Sequence, residues 1–352
     1  MNIADLQAIA RSIVAPGKGI LAADESNPTI KKRFDSIGAE STEESRRNYR
    51  ELLFTADGAA QHISGVILFD ETLRQDARDG GKLVDLIIAK GMLPGIKVDR
   101  GAKDLAGSPG EKVTEGLDGL RERLIEYREL GARFAKWRAV ITIGDGIPTQ
   151  ACIEANAHAL ARYAALCQEA GLVPIVEPEV LMDGRHTIEV SEHVTATILS
   201  ELYRELYRQH VALEGILLKP NMVLPGYECP AQSSVQQVAE ATLRTFLRHV
   251  PPAVTGIVFL SGGQSDERAT AHLDAMNRMD ASQRPWPLSF SYGRALQAAA
   301  LKAWAGKTEN ESAAQAAFLH RARCNGAAAQ GSYDTGMEAS APAQGDRLVS
   351  QD

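Results

Sequence analysis

Short apolar runs alternate with stretches of helical periodicity along most of this chain, and that alternation limits the fold more than any other feature. Eight strand-like runs occur, and their starts lie 29 to 46 residues apart. This spacing leaves room for one strand, one helix and two loops per unit, which is the pattern of parallel βαβ units. The runs cover residues 19–24, 65–69, 94–98, 132–138, 174–179, 215–220, 256–263 and 287–294.

Eight β/α units are the number that closes a (β/α)8 TIM barrel. We therefore predict a single barrel domain over residues 1–333, with an extra N-terminal helix. A doubly wound open sheet is the competing architecture, but it would usually carry a GxGxxG fingerprint after an early strand, and the sequence contains none. The end of the chain is poor in apolar residues, so we expect a mobile, flexible C-terminal tail over residues 334–352.

Local signals mark the ends of several helices between these runs. Ser41 with Glu44 predicts a capping box that opens the helix 43–54. Gly131 and Gly171 are suitable residues to end two others, and Pro251 cannot continue a third. The predicted helices cover residues 43–54, 117–130, 155–170, 194–209, 235–250, 295–305 and 311–323.

Composition excludes several classes of protein. Hydrophobic residues make up 44% and charged residues 24% of the 352-residue chain, as in ordinary globular domains. No run approaches 18 apolar residues and no signal sequence opens the chain, so we expect no membrane partner and a cytoplasmic location. A net charge of -7 argues against a nucleic-acid partner. The four cysteines form no CxxC pair, which speaks against a zinc knuckle and against a disulfide framework.

Charged residues stand where buried strands should be apolar, mostly at the ends of the runs. Each has an ordinary explanation when taken alone, such as a helix cap, an ion pair or a side chain that reaches solvent. Together they converge on the carboxyl-terminal face of the barrel, where such enzymes place their chemistry. Burying so many charges for stability alone would be costly. The residues are Asp24, Lys97, Lys136, Arg138, Glu177, Glu179, Lys219 and Arg294.

Lysines and carboxylates in one pocket predict a particular chemistry. Two neighbouring lysines disfavour each other's protonation, so the pKa of one falls and its amine becomes a nucleophile. A neutral amine forms a Schiff base with a carbonyl carbon. The resulting iminium stabilises a carbanion on the adjacent carbon, while carboxylates move protons. This combination predicts cleavage of a carbon–carbon bond beside a ketone, with no metal or other cofactor.

Two further motifs predict a phosphate site. The seventh run ends in Ser261-Gly262-Gly263, and the eighth ends at Arg294. A Ser-Gly-Gly sequence alone is more often a tight turn, but barrels often bind phosphate after strands 7 and 8. Lys97 and Arg138 could hold a second anion. The predicted partner is therefore a small phosphorylated, or doubly phosphorylated, ketone.

These residues lie in segments that resemble class I fructose-bisphosphate aldolases. The similarity runs in order from about residue 3 to 333, in long unbroken blocks. The blocks are GKGILAADES (17–26), GIKVDRG (95–101), FAKWR (134–138), PIVEPE (174–179), LLKPNMV (217–223), PPAVTGIVFLSGGQS (251–265) and FSYGRALQ (290–297).

The resemblance implies a role for each charged residue. It implies that Lys219 forms the Schiff base with the C2 carbonyl and that Lys136 assists it. Glu177 is the implied acid and base, Glu179 the carboxylate that positions the lysines, and Asp24 a residue near the C4 hydroxyl. The implied reaction is the reversible cleavage of fructose 1,6-bisphosphate to dihydroxyacetone phosphate and glyceraldehyde 3-phosphate, a step of glycolysis and gluconeogenesis.

The resemblance also implies two phosphate subsites and an assembly. The C1-phosphate site is expected from Ser261, Gly262, Gly263, Ser291, Gly293 and Arg294, and the other end of the substrate from Ser26, Arg33, Lys97 and Arg138. Members of the family usually form homotetramers, so we expect one here.

One departure and three alternatives remain. Many family members end in a tyrosine that exchanges a proton with the enamine, but the last tyrosine here is Tyr333, so we expect another group to do so or the step to be slower. The alternatives are a metal-dependent aldolase or isomerase, another Schiff-base enzyme such as a transaldolase acting on a related sugar phosphate, and a non-catalytic scaffold barrel. No histidine lies in a strand run that ends at the site, which weighs against a metal.

Overall fold

The computed structural model describes residues 2–340 and confirms the (β/α)8 barrel. Eight parallel strands pair in chain order, and the last closes on the first through Ile20 with Ser291 and Leu21 with Tyr292. The strands are β1 (Gly19–Ala23), β2 (Ile63–Leu68), β3 (Leu93–Lys97), β4 (Phe134–Ile141), β5 (Val173–Val180), β6 (Leu217–Leu218), β7 (Gly256–Phe259) and β8 (Leu288–Tyr292).

Twelve helices surround the barrel within the described residues. They are α1 (Ile3–Ile13), α2 (Asn27–Asp35), α3 (Glu43–Phe54), α4 (Asp70–Arg74), α5 (Leu83–Ala89), α6 (Leu120–Glu129), α7 (Gln150–Glu169), α8 (Ile188–Arg208), α9 (Val235–His249), α10 (Asp266–Arg278), α11 (Arg294–Trp304) and α12 (Glu311–Ala328). Among them, none is both long enough and apolar enough to cross a membrane.

The bounds of α3 are as predicted, but its capping residues are not. Thr42, not Ser41, caps the helix: the Thr42 side chain accepts from the Ser45 amide at 3.0 Å, and the Ser45 hydroxyl accepts from the Thr42 amide at 2.9 Å. The prediction missed this because a serine can take the place of the glutamate in a capping box.

Two runs are much shorter as strands than predicted, the run 287–294 is a strand only over Leu288–Tyr292, and one hairpin was not predicted. The run 215–220 is a strand only at Leu217–Leu218, because Gly215 ends a 3-10 turn and Pro220 has no amide hydrogen to donate. The run 256–263 ends at Phe259, because a turn follows. A two-stranded antiparallel hairpin, Ala102–Asp104 with Lys112–Thr114, extends from the loop after β3.

The amino-terminal end of the barrel is an apolar plug. Side chains that alternate along the strands with period two point inward and pack on one another and on α1. Leu6 and Ile13 of α1 are buried in this cluster, so the helix closes the barrel from below. The strand residues of this plug are Ile20, Ala22, Ile67, Phe134, Val173, Ile175, Leu217 and Val258.

The same alternation carries charged residues inward at the other end. The residue two positions after Phe134 is Lys136, the one after Ile175 is Glu177, and the one after Leu217 is Lys219. The intervening residues belong instead to the large outer cluster, where Ala135, Val176 and Leu218 pack between the barrel and its helices. The strands therefore aim an apolar set and then a charged set into the same interior.

Beyond α12 the chain makes one more described element. Residues Thr335–Ser340 form a 3-10 turn, and Glu338 accepts hydrogen bonds there from Arg321 and from the Tyr333 hydroxyl. Most of the tail predicted to be mobile, from residue 341 onward, lies outside the described residues, and so does the end of the chain that lacks a tyrosine.

Candidate active site

Four predicted residues meet at the carboxyl ends of β1, β4, β5 and β6. The Lys136 Nζ lies 2.7 Å from Asp24 Oδ2 and 3.5 Å from Glu177 Oε2. The Lys219 Nζ lies 3.3 Å from the other carboxylate oxygen of Glu177. Glu177 therefore stands between the two lysines, and both of its oxygens face an ammonium or amine group. Lys136, Glu177 and Lys219 are each buried.

The charges in this cluster set which groups stay ionised. Burial alone would lower the pKa of Lys136, but Asp24, Glu177 and Asp99 outweigh it and hold that pKa well above its usual range. Burial alone would raise the pKa of Asp24, but Lys136, Lys219 and Lys97 outweigh it and hold that pKa well below its usual range. Lys136 and Asp24 therefore form a fixed ion pair at neutral pH.

A second pair of contacts lies beside the first. The Arg138 Nε donates to Glu179 Oε2, and the Lys97 Nζ lies 2.8 Å from Asp99 Oδ1. The resemblance implied that Glu179 positions the lysines, but in the structure it contacts Arg138. Asp24 and Glu177 contact Lys136 in its place. The reason is strand register: Arg138 of β4 lies opposite Glu177 of β5, which brings the arginine next to both inward glutamates.

The turn after β7 presents unpaired backbone donors. Gly262 has φ 56° and Gly263 has φ 85°, and the Gln264 amide donates to the Ser261 carbonyl at 3.1 Å. Two successive positive φ values are those of a type I′ turn, which glycine adopts without strain. Within residues 2–340 the amides of Gly262 and Gly263 have no acceptor. They are available to an anion.

Neighbouring side chains leave little room for any residue larger than glycine at these two positions. A Cβ on Gly262 would lie 2.0 Å from the Met182 methyl, and a Cβ on Gly263 would lie 3.2 Å from Arg294 Nη2. The second distance also shows that the Arg294 guanidinium lies beside the turn. Arg294 is the first residue of α11, so backbone donors and a cation meet at one place.

The remaining predicted residues lie around β8 and β1. Ser291 Oγ is buried and has no hydrogen-bond partner within the described residues, so it can donate to a bound group. Arg33 Nη2 lies 3.7 Å from the position of a Cβ on Gly293, which places this arginine beside β8. Ser26 precedes α2, and its hydroxyl lies 3.1 Å from the Thr29 hydroxyl.

Three further residues lie at the site although no role was predicted for them from the sequence. Asp99 pairs with Lys97, and it was recognised from the sequence only as a charged residue that follows the third strand. Buried Glu25 pairs with Arg33 and accepts from Gln297 at 2.9 Å, and its place beside Asp24 was the signal. Tyr227 donates to the Gly262 carbonyl from the loop after β6, and no sequence pattern indicated it.

One group of side chains within residues 2–340 has the composition of a metal site. The ligand atoms of His320, Cys324 and Glu338 all lie within 4.8 Å of one another. The Arg321 guanidinium already donates to Glu338 Oε2, the carboxylate oxygen that lies 3.3 Å from His320 Nε2. This group lies on α12 and the turn after it, apart from the strand ends that carry the lysines.

The fold and the site define a (β/α)8 barrel with a lysine and carboxylate cluster at its carboxyl-terminal face, and with free amides, a serine hydroxyl and an arginine after β7 and β8. The family model described as "Fructose-bisphosphate aldolase class-I" matches residues 5–351. The chain belongs to the class I fructose-bisphosphate aldolase family.

Named relatives agree with this assignment. A Xanthomonas axonopodis pv. citri protein, "Probable fructose-bisphosphate aldolase class 1", is 58% identical over 334 residues, which are 95% of this chain and 99% of that one. "Fructose-bisphosphate aldolase 5, cytosolic" of Arabidopsis thaliana is 55% identical over 342 residues, 97% of this chain and 93% of that one. A solved fructose-bisphosphate aldolase of Plasmodium falciparum, in complex with TRAP and a small-molecule inhibitor, superimposes with a TM-score of 0.93 at 51% identity, covering 94% of this chain and 96% of that one.

Proposed function

We propose that this chain catalyses the reversible aldol cleavage of fructose 1,6-bisphosphate to dihydroxyacetone phosphate and glyceraldehyde 3-phosphate through a Schiff base on Lys219. The observation that carries the proposal is the position of Glu177, with one carboxylate oxygen 3.3 Å from Lys219 Nζ and the other 3.5 Å from Lys136 Nζ. A carboxylate so placed can pass protons to and from the atoms that Lys219 attacks. Family membership supports the same reaction and the same cofactor-independent chemistry.

Schiff-base formation is the first stage. The neutral amine of Lys219 adds to the C2 carbonyl of the substrate and gives a carbinolamine. Glu177 supplies a proton to the C2 hydroxyl, which leaves as water, and the nitrogen becomes part of an iminium. Lys136 stays cationic beside Glu177, since Asp24 holds it there at 2.7 Å.

Bond cleavage is the second stage. The C4 hydroxyl gives its proton to a carboxylate, the C3–C4 bond breaks, and its electron pair moves into the iminium to give an enamine. Glyceraldehyde 3-phosphate leaves as the aldehyde. Glu177 is the proton acceptor in this proposal, because contact with Lys136 outweighs the effect of burial and holds the pKa of Asp24 well below its usual range. Asp24 is therefore a poor proton acceptor. Protonation of the enamine at C3 and hydrolysis of the imine then release dihydroxyacetone phosphate and restore Lys219.

Two anion sites would hold the ends of the substrate across the lysines. The C1 phosphate binds the amides of Gly262 and Gly263, with the Ser291 hydroxyl and the Arg294 guanidinium as further donors. At the other end we propose the cations of Lys97 and Arg138 with the Ser26 hydroxyl. Arg33 lies beside Gly293, so in this proposal it serves the end nearer β8. Fixing both ends holds the C3–C4 bond next to Glu177.

The extent of the domain, the location in the cell and the oligomeric state are also part of the proposal. Residues 1–333 would form its single catalytic domain. A cytoplasmic location is supported by the Arabidopsis relative, whose name includes "cytosolic". A homotetramer is supported by the family resemblance, and sedimentation of the full chain would test it.

The direct test is cleavage of fructose 1,6-bisphosphate in the presence of EDTA, followed by detection of both triose phosphates. Lys219→Arg should lose activity by at least about three orders of magnitude, because a guanidinium stays protonated and forms no Schiff base. Lys90→Arg is the matched control, since Lys90 pairs with Asp57 on the surface, and it should retain wild-type activity. Cleavage retained by Lys219→Arg, or lost on adding EDTA to the wild type, would contradict the proposal.

A second substrate separates the nearest alternative. A transaldolase moves a dihydroxyacetone unit from sedoheptulose 7-phosphate to glyceraldehyde 3-phosphate and needs no bisphosphate. The proposal predicts much faster turnover of fructose 1,6-bisphosphate, because two anion sites are built at the barrel mouth. Faster transfer from sedoheptulose 7-phosphate would favour the alternative.

A further inference from the structure

Tyr227 joins three loops at the mouth of the barrel. Its amide donates to the Met182 carbonyl at 2.9 Å, and its two chain neighbours make similar bonds to the same loop after β5 at 2.8 and 2.9 Å. Three successive backbone bonds fix the position of Tyr227 although its side chain is 47% exposed. Its hydroxyl then reaches the loop after β7, where it donates to the Gly262 carbonyl.

This contact falls on the peptide that carries one of the free amides. The carbonyl of Gly262 and the amide of Gly263 belong to one planar trans peptide, so they point in opposite directions. Tyr227 holds the carbonyl on its own side. The Gly263 amide, which has no acceptor within the described chain, must therefore point away from Tyr227.

Without a restraint, this peptide could turn over. It is the central peptide of a turn whose two middle residues are both glycine, with φ 56° and 85°. Glycine populates positive and negative φ about equally well, so a type I′ turn and the form with the flipped central peptide are both open to it. A flip would put the Gly262 carbonyl where the Gly263 amide now stands. An anion would then meet an acceptor oxygen.

We propose that Tyr227 is a positioning residue for the phosphate group of the substrate: its hydroxyl locks the Gly262–Gly263 peptide so that the Gly263 amide faces the phosphate. The proposal rests on the proposed function, because it assigns the turn after β7 to the C1 phosphate. Tyr227 acts through the backbone and needs no contact with the substrate itself.

Two neighbouring features fit this role. Arg294 Nη2 lies 3.2 Å from the Cβ position of Gly263. The Gly263 peptide and the Arg294 cation therefore lie close enough together to bind the same phosphate group. Burial raises the pKa of Tyr227 to about 12, partly offset by Arg294, so the hydroxyl keeps its proton and remains a donor throughout the neutral range.

The test is Tyr227→Phe, which removes the hydroxyl and keeps the ring. We expect the inhibition constant of inorganic phosphate and the KM for fructose 1,6-bisphosphate each to rise about fivefold, the loss of one neutral hydrogen bond. The kcat should change less than about twofold, because Lys219 and Glu177 are untouched. Tyr207→Phe is the matched control: Tyr207 is 84% exposed on α8, and its variant should match the wild type in all three constants.

The outcomes separate this proposal from the others. Unchanged phosphate inhibition in Tyr227→Phe would overturn it, and tighter binding would overturn it by showing that the hydroxyl hinders the phosphate. A fall in kcat together with a lower melting temperature would also overturn it, since a general loosening of the loops moves both. If the wild type does not cleave the bisphosphate, it is the proposed function that fails.

Discussion

The two ends of the barrel are built from the same strands by the same alternation, yet they hold opposite kinds of residue. At the amino-terminal end, Phe134, Ile175 and Leu217 pack with α1 into the apolar plug. Two residues further along each of these strands, the inward side chains are Lys136, Glu177 and Lys219. The first set is stabilised by burial, whereas the second is buried at a cost in desolvation.

The comparison shows how the barrel tolerates a cluster of buried charges at its carboxyl-terminal end. A cluster of buried charges is held in place only if the surrounding structure is stable enough to bear it. The plug, the outer helices and the strand pairing supply that stability, while Asp24 and Glu177 pair with the lysines. We expect changes at the charged end to alter activity more than stability, and changes at the plug to do the reverse.

The largest effect should come from removing the central carboxylate. Glu177→Gln keeps the shape of the side chain but not its ability to take up a proton. Activity should fall on the order of 10²- to 10⁴-fold, the usual contribution of a general acid and base. Circular dichroism and cleavage assays check this. Glu169→Gln, an exposed residue that pairs with Arg121, should behave as wild type, and a fully active Glu177→Gln would remove Glu177 from the mechanism.

The plug should show the opposite response. Leu6→Ala removes a side chain that is 1% exposed, with its Cβ only 3.2 Å from the Cβ position of Gly215. Urea unfolding should show a loss of about 3 kcal/mol, from lost burial and the cavity that remains. The kcat of the folded enzyme should stay near wild type. Ile3→Ala, on the exposed side of the same helix, should cost far less, and equal losses from both would contradict the plug.

A third effect is the pH dependence of the free energy of unfolding, which we expect to come from a histidine at the carboxyl-terminal end and not from the plug. His272 is fully buried under the turn after β7, where it contacts Gln264, which donates to the Ser261 carbonyl at 3.0 Å. Burial, with Arg268 nearby, lowers the pKa of His272 to about 3. The unfolded chain binds that proton near pH 6.5, so it takes up more protons than the native state as the pH falls, and stability is lost below that pH.

The measurement is the free energy of unfolding of the wild type and of His272→Asn at pH 7 and pH 5. From pH 7 to pH 5 the wild type should lose about 2 kcal/mol more than the variant. Leu6→Ala, at the plug, should lose stability with pH as steeply as the wild type does. If His272→Asn and the wild type have the same pH dependence, His272 is not the group that couples the turn to pH.

The smallest effect lies outside both ends. Thr42→Ala should destabilise the protein by about 1 kcal/mol, because Thr42 caps α3. Ser41→Ala, the cap predicted from the sequence, should cost less than about 0.5 kcal/mol. Thermal unfolding of the two variants checks the order, and the reverse order would restore the sequence prediction.

The period-two pattern explains why the barrel and the four central residues were predictable. Lys136, Glu177 and Lys219 each lie two positions after an inward-facing apolar residue of their strand, so all three side chains point into the barrel. Parallel strands also bring their carboxyl ends together. The helix α10 was missed because its sequence, DERATAHLDAMNR, is polar over its first turn and followed a run that had been extended too far as strand.

The sequence indicated which residues lie at the site better than it indicated which of them contact one another. Which carboxylate contacts which cation depends on strand register, and register placed Glu179 with Arg138. Tyr227 and Glu25 are placed by loops, where the chain has no period from which a direction can be computed. Contacts of this kind become visible only in three dimensions.

The central claim is that the charged end makes a covalent bond to the substrate at one particular lysine. The enzyme is mixed with dihydroxyacetone phosphate and EDTA and reduced with borohydride, and the labelled peptide is mapped by mass spectrometry. The account predicts a single adduct on Lys219, in the peptide that contains LLKPNM. An adduct on Lys136 or Lys97, or no adduct on folded protein, would contradict it.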